Sequence, residues 1–359
     1  MTLPLGNGRH ATHTLPDLCL SHSSANAART ILPCRRVPLG AHPSQFRKES
    51  IMDNVKPPTR RSAGGKVRSV RPPALLCSAV LLGVGAAFAV ASPASAAVVS
   101  GVVKVEVESA DDSRTSKSVT VECPDDKKVI NAAGYITDGN GSVAMDDIFP
   151  DEALESVTVT GKETDAYGSN WRVKAIATCA DEPVGLEWVW AVSEEDNSDD
   201  WKRAEAECTG DNTLLGTGAT IRGGAGEVAL DLIVPNGGRG VAADKVTVDA
   251  FELDPFSGDW TVNAFAICAD PLDGQQVLRD ATTSASDNDG LRVACDEDQV
   301  ATGTGVELVG VTGEVVIDDV FPTDGSPTVA PTATTVYGQE EDGTPESWYI
   351  QAFVICADA

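Results

Sequence analysis

The stretch Trp171-Arg-Val-Lys-Ala-Ile-Ala-Thr-Cys179-Ala-Asp181 returns as Trp260-Thr-Val-Asn-Ala-Phe-Ala-Ile-Cys268-Ala-Asp270, and again as Trp348-Tyr-Ile-Gln-Ala-Phe-Val-Ile-Cys356-Ala-Asp358. A threefold internal repeat constrains the fold to an array of like units before any residue is read for chemistry. Each copy alternates with period two. Trp171, Val173, Ala175, Ala177 and Cys179 point one way, and Arg172, Lys174, Ile176 and Thr178 the other. The first face is apolar in all three copies and is expected to line a core. The second carries Phe265 and Ile267, or Phe353 and Ile355, in the later copies, so those strands are expected to be buried on both faces.

Aligning on this strand recovers the rest of the repeat. An earlier cysteine stands in each block, at Cys123, Cys208 and Cys295. Gly141-Ser-Val-Ala-Met-Asp-Asp-Ile-Phe-Pro150 matches Gly226-Glu-Val-Ala-Leu-Asp-Leu-Ile-Val-Pro235 and Gly313-Glu-Val-Val-Ile-Asp-Asp-Val-Phe-Pro322. The blocks run over 99–181, 182–270 and 271–358. Asn140-Gly141 reads as a two-residue hairpin turn. Pro150, Pro235 and Pro322 end the strands before them, because proline cannot donate to a ladder. No sustained helical period occurs after residue 96, so the chain is expected to be all-β: three tandem, disulfide-stapled antiparallel units. Two packings are open. Three small, closely packed sandwiches are the first expectation, and one pseudo-threefold β-prism is the alternative.

The residues before the repeats read as an export signal. Lys66, Arg68 and Arg71 precede an apolar and small-residue run over 74–90, and Ala94-Ser95-Ala96 then supplies the small residues a signal peptidase needs. Cleavage is expected after Ala96, making the product secreted with no membrane span left. Residues 1–51 show no hydrophobic period and precede a second methionine. The signal is therefore read as 52–96, and 1–51 as an upstream extension. All four histidines and Cys19, Cys34 and Cys77 lie before Ala97.

From Ala97 onward the chain has six cysteines. An even count at repeating positions in an exported chain implies bridges. Two pairings treat the blocks alike. One is within blocks, Cys123–Cys179, Cys208–Cys268 and Cys295–Cys356. The other joins neighbours, with Cys356 closing back on Cys123. The within-block scheme is the expectation, and each loop it closes contributes about 4 kcal/mol in the chain-entropy model.

Cys123-Pro124, Gly134, Pro150 and Ala175-Ile-Ala-Thr-Cys179-Ala180, with their copies, resemble a type of secreted bacterial β-repeat that opens on Cys-Pro and closes on Ala-x-Ala-x-Cys-Ala. The resemblance covers roughly residues 118–358, and Cys208 and Cys295 lack the proline. More distantly, three such units resemble the three-sheet β-prism of the vitelline membrane outer layer protein. Both resemblances imply a fold and no activity.

Chemistry is constrained by what is missing. Without histidine after Ala97, Ser-His-Asp, Cys-His and His-ligated zinc chemistry are excluded from that region. It has no Gly-x-Ser-x-Gly, dinucleotide-binding or Walker motif either. The chain is therefore expected to be non-enzymatic, with a carboxylate-only hydrolase as the remaining catalytic alternative. Asp146, Asp231 and Asp318 occupy one repeat position, and Asp147 and Asp319 follow two of them. They are candidate calcium ligands, set against solvent-facing strand-end charges. Trp188, Trp190 and Trp201 are confined to the second block beside an acidic loop, and are candidate ligand-binding residues, set against a locally enlarged core. From Ala97 there are 15 Lys and Arg against 51 Asp and Glu, a balance of −36. That charge repels nucleic acid and anionic lipid and suits cations or basic peptides. The expected function is an extracellular binding or surface-associated module for a glycan or a protein. A structural, envelope-protective protein without a discrete ligand is the alternative.

Overall fold

The computed structural model describes residues 97–193, 196–197, 199–283, 288–310, 313–341 and 343–359. The expected export signal and upstream extension lie outside them. The described residues contain strands and no helix. The first block supplies β1 (Val103–Glu108), β2 (Ser116–Glu122), β3 (Lys128–Thr137), β4 (Val143–Pro150), β5 (Ser156–Glu163) and β6 (Arg172–Ala180). The second supplies β7 (Glu187–Val192), the two-residue β8 (Asp196–Asn197), β9 (Trp201–Glu207), β10 (Thr213–Arg222), β11 (Val228–Pro235), β12 (Lys245–Glu252) and β13 (Asp259–Ala269). The third supplies β14 (Gln276–Ala281), β15 (Asp289–Ala294), β16 (Gln299–Val309), β17 (Val315–Thr323), β18 (Ala333–Glu340) and β19 (Tyr349–Asp358).

Each block divides between two sheets. Sheet I has the order β1-β6-β3-β17-β18-β15, sheet II β2-β5-β4-β10-β13-β7, and sheet III β14-β19-β16-β11-β12-β9. Every pairing between these strands is antiparallel. Every block is thus a small two-layer sandwich, and every layer continues into a neighbouring block. The joins are seams at Thr220↔Asp147 (β10–β4), Leu232↔Glu307 (β11–β16) and Asp319↔Tyr135 (β17–β3). The sandwich units and the shared threefold arrangement therefore coexist. The units are not separate beads, because backbone ladders run from each block into the next.

The disulfides are Cys123–Cys179, Cys208–Cys268 and Cys295–Cys356. Each ties the residue just after β2, β9 or β15, in one sheet, to the block's closing strand in the other. The repeated tryptophans fill the space between the layers: Trp171, Trp260 and Trp348 are fully buried, as are Ala175, Ala264 and Ala352. Each indole N–H donates to a glutamate eight residues earlier, Glu163, Glu252 or Glu340, at 3.2, 3.0 and 2.9 Å. The second oxygen of each glutamate accepts a backbone N–H from the loop between them. The buried indole is thereby satisfied and the loop pinned. Phe265, Ile267, Phe353 and Ile355 are buried on the opposite face, as the sequence pattern predicts.

Equivalent positions from the three blocks meet at a common centre. At one end Ala144, Ala229 and Val316 form an apolar cluster. At the other, Asn131 is fully buried. Its Oδ1 accepts from Thr217 N and Thr304 N at 3.0 and 3.3 Å, and its Nδ2 donates to Thr304 Oγ1 at 3.1 Å. Only one side chain fits. At the equivalent Gly216 a Cβ would stand 2.0 Å from the Ile130 carbonyl oxygen.

The Asn140-Gly141 turn differs from expectation. Both residues have positive φ, 48° and 82°, as a tight reversed turn requires. Yet it joins β3 in sheet I to β4 in sheet II, so it is an arch between layers and not a hairpin. Gly141 also lies against the third block, where a Cβ would fall 2.1 Å from Glu340 O. The true hairpin is β4–β5, closed by residues 151–155.

Candidate functional site

Outside the shared core, the three sheets present outer faces at the seams, and these faces differ. Their common feature is a β-bulge. The ladder shifts register between Met145 and Asp147, between Leu230 and Leu232, and between Ile317 and Asp319. Asp146, Asp231 and Asp318 are therefore the extra residues of three equivalent bulges. They are not strand-end charges in solvent: Asp146 and Asp318 are each 4% exposed.

Their environments raise the carboxyls above the ordinary aspartate range. Burial, then the charge of Asp147, pushes Asp146 up to about 6 against the opposing pull of Lys162, whose Nζ lies 2.9 Å away. Burial, then Asp249 and Glu307, pushes Asp231 up to about 8. Burial pushes Asp319 up to about 7 and, with the neighbouring Asp319 carboxylate, holds Asp318 well above the ordinary range.

These five aspartates were the candidate calcium ligands. Asp146 and Asp147 lie at the sheet II seam, Asp231 in sheet III, and Asp318 and Asp319 in sheet I. The fold spreads them over three seams, and no group of three or more acidic, cysteine or histidine side chains among the described residues could hold a metal ion. A hard cation needs more oxygens than one bulge supplies.

The candidate tryptophans separate likewise. Trp188 and Trp190 share the outer face of sheet II on its edge strand β7. Residues opposite each other in antiparallel strands share a face, so the Phe265↔Trp190 and Ile267↔Trp188 pairs place them beside β13. The Phe265 ring lies 5.4 Å from Trp188 and 5.2 Å from Phe149. The Trp188 indole donates to Pro150 O at 3.1 Å. Trp190 is 52% exposed and Val192 48%. A polar row runs alongside: Asp147 opposes Thr220, Thr220 opposes Asn263, and Asn263 Nδ2 donates to Thr220 Oγ1 at 3.0 Å. Trp201 is elsewhere, on edge strand β9 of sheet III. Its indole donates to Asp249 at 3.2 Å, and Arg203 lies over its ring while bonding Asp249 at 2.7 and 2.6 Å.

Ion pairs cover part of every outer face. On sheet I, Lys174 contacts Glu106 at 3.2 Å and covers the Tyr135 ring. On sheet III, Arg203 is bound to Asp249 and Lys245 to Glu205. On sheet II the ion pairs Lys162–Asp146, at 2.9 Å, and Arg222–Asp147, at 3.6 Å, lie at the seam, and among the described residues its β7–β13 end exposes the unpaired Trp190 indole beside further aromatic rings. Phe149 and Phe265 complete that face. Sequence reasoning read them only as parts of strands, although the alternation that placed Trp188 and Trp190 together applied to them too. No protein-family model matches the chain, and no curated protein matches it.

Proposed function

We propose that this chain is an exported, non-enzymatic binding module that offers the outer face of sheet II to an extracellular glycan or protein. The observation that carries the reading is the exposed Trp190, grouped with Trp188, Phe265 and Phe149 on the outer face of sheet II, at the end of that face away from its seam ion pairs. An exposed aromatic grouped with further apolar rings is the usual anatomy of a recognition surface. Three cross-layer disulfides support export to an oxidising compartment. N-terminal sequencing of the secreted product is expected to read Ala97 first. A mature protein retaining Lys66 would contradict that.

The binding reading is tested with pure protein on glycan arrays and arrays of extracellular proteins, comparing the wild type with Trp190→Ala. The expected result is a ligand whose signal falls in the variant. No ligand on either array, or only ligands indifferent to Trp190, would leave the envelope-protective alternative in its place. Turnover of a polysaccharide by the pure protein would instead revive the carboxylate hydrolase.

A further inference from the structure

A strand at the end of a sheet leaves alternate backbone groups unpaired. Folded proteins blunt such edges with lysine or arginine, with inward-pointing charge, or with a covering loop. The three sheets have six edge strands. β1 carries Lys104, β2 Lys117, β9 Lys202 and Arg203, β14 Arg279 and β15 Arg292. Lys117 and Lys202 point inward over the rings of Trp171 and Trp260. Strand β7, Glu187-Trp-Val-Trp-Ala-Val192, carries no basic residue.

The repeat exposes a second difference. Lys104, Trp188 and Val277 are equivalent, each following the residue paired with the closing cysteine. Lys104 N donates to Ser326 O, in the β17–β18 loop, at 3.0 Å. Val277 N donates to Val241 O, in the β11–β12 loop, at 3.3 Å. Those loops are nine residues each, 324–332 and 236–244. The loop in the same relation to Trp188 is 151–155, only five residues. Among the described residues β7 pairs with β13 alone, and the Trp188 indole reaches Pro150 O where the longer loops supply a carbonyl to the strand.

The register shows which groups are open. Ser193 N donates to Val262 O at 2.9 Å. Hydrogen-bonded pairs alternate along an antiparallel ladder, so residues 187, 189 and 191 exchange bonds with β13. The backbone groups of Trp188, Trp190 and Val192 then face away from the sheet. The same three residues place their side chains on its outer face.

We propose that the free edge of β7 is a docking site for an extended, basic segment of a protein partner, which adds to sheet II as a further strand. The inference rests on the binding reading above and names its ligand class. Backbone bonds to an edge give affinity, and alternate side chains give selection. Charge selects the occupant. A second copy brings the same balance of −36, whereas a basic segment is drawn toward it. The stems and heads of arginine and lysine also suit the exposed Trp190 ring.

The test uses the chain from Ala97 to Ala359 and three peptides of about eight residues, the length of an ordinary strand. One alternates arginine and valine, one replaces arginine by glutamate, and one is the basic peptide N-methylated at the amides that would face β7. Titration calorimetry is expected to show binding of the basic peptide, weakening with salt, and none of the acidic one. N-methylation and Trp190→Lys should each cost at least about tenfold in Kd, or about 1.4 kcal/mol. Trp190→Lys should leave the melting temperature unchanged. Equal binding of the N-methylated peptide would overturn strand addition, as would a concentration-dependent dimer abolished by Trp190→Lys. Failure of every peptide beside a glycan signal lost in Trp190→Ala would overturn the inference and leave the binding reading standing. Failure on all ligands would remove both.

Discussion

The inner walls of the three repeats are nearly identical, and their outer faces are not. Inside, a Trp, a Glu eight residues earlier, a small Ala and a layer-crossing disulfide recur in every block. Outside, the seam residue paired across from the neighbouring block is Thr220, Glu307 or Tyr135. The difference separates two demands. Layers must close around the same volume three times, so the wall has one solution. The outer faces carry no such constraint, and the β7 end of sheet II has become aromatic and open.

The largest expected effect lies on the wall. Trp260→Ala leaves a large cavity and strands Glu252, and should cost about 3–5 kcal/mol in denaturant unfolding. A loss below about 1 kcal/mol would mean that the wall is not what holds the layers together. Next is the centre. Asn131→Ala leaves the backbone N–H groups of Thr217 and Thr304 unsatisfied, for about 1–3 kcal/mol.

The seams should respond to pH with a definite sign. Asp146, Asp231 and Asp319 have folded-state values of about 6, about 8 and about 7, all above an unfolded aspartate. Between the unfolded value and those values the folded chain retains protons that the unfolded chain has released. Stability should therefore fall as pH rises from about 4 to about 8, by up to about 1.4 kcal/mol per pH unit for each group still protonated. Asp231→Asn should flatten the upper part of that slope and raise the melting temperature at pH about 8, where desolvation of the ionised carboxylate is most costly. A wild-type melting temperature that climbs over this window would contradict the seam assignment.

The smallest effect on stability belongs to the outer face. Trp190→Ala should change unfolding by no more than about 0.5 kcal/mol, because the ring is half exposed. Its consequence should appear in binding instead. Wall and face would then be energetically separable.

Much of the wall is legible in the sequence. The alternation of Trp171 through Cys179 names the buried face, and equivalence of the blocks limits the cysteines to two pairings. Strand sharing is not legible. Alternation says which face of β4 is apolar and nothing about which strand lies at its other edge. The bulges are hidden for the same reason: an extra residue at Asp146 exists only relative to the register of β5. That is why the aspartates read as strand-end charges or calcium ligands. The open edge of β7 did leave a trace. Pro150 and Val157 are closer in sequence than Pro235 and Val246, and the missing residues are those of the loop that reaches the equivalent edge elsewhere.

The central claim is that three repeats share their sheets and so form one cooperative unit. Scanning calorimetry of the chain from Ala97 to Ala359 tests it most directly. The account predicts a single transition whose van't Hoff and calorimetric enthalpies agree, a ratio of about 1. Independent repeats would give a van't Hoff enthalpy about one third of the calorimetric value, or three resolved transitions, and either result would contradict the shared-sheet architecture.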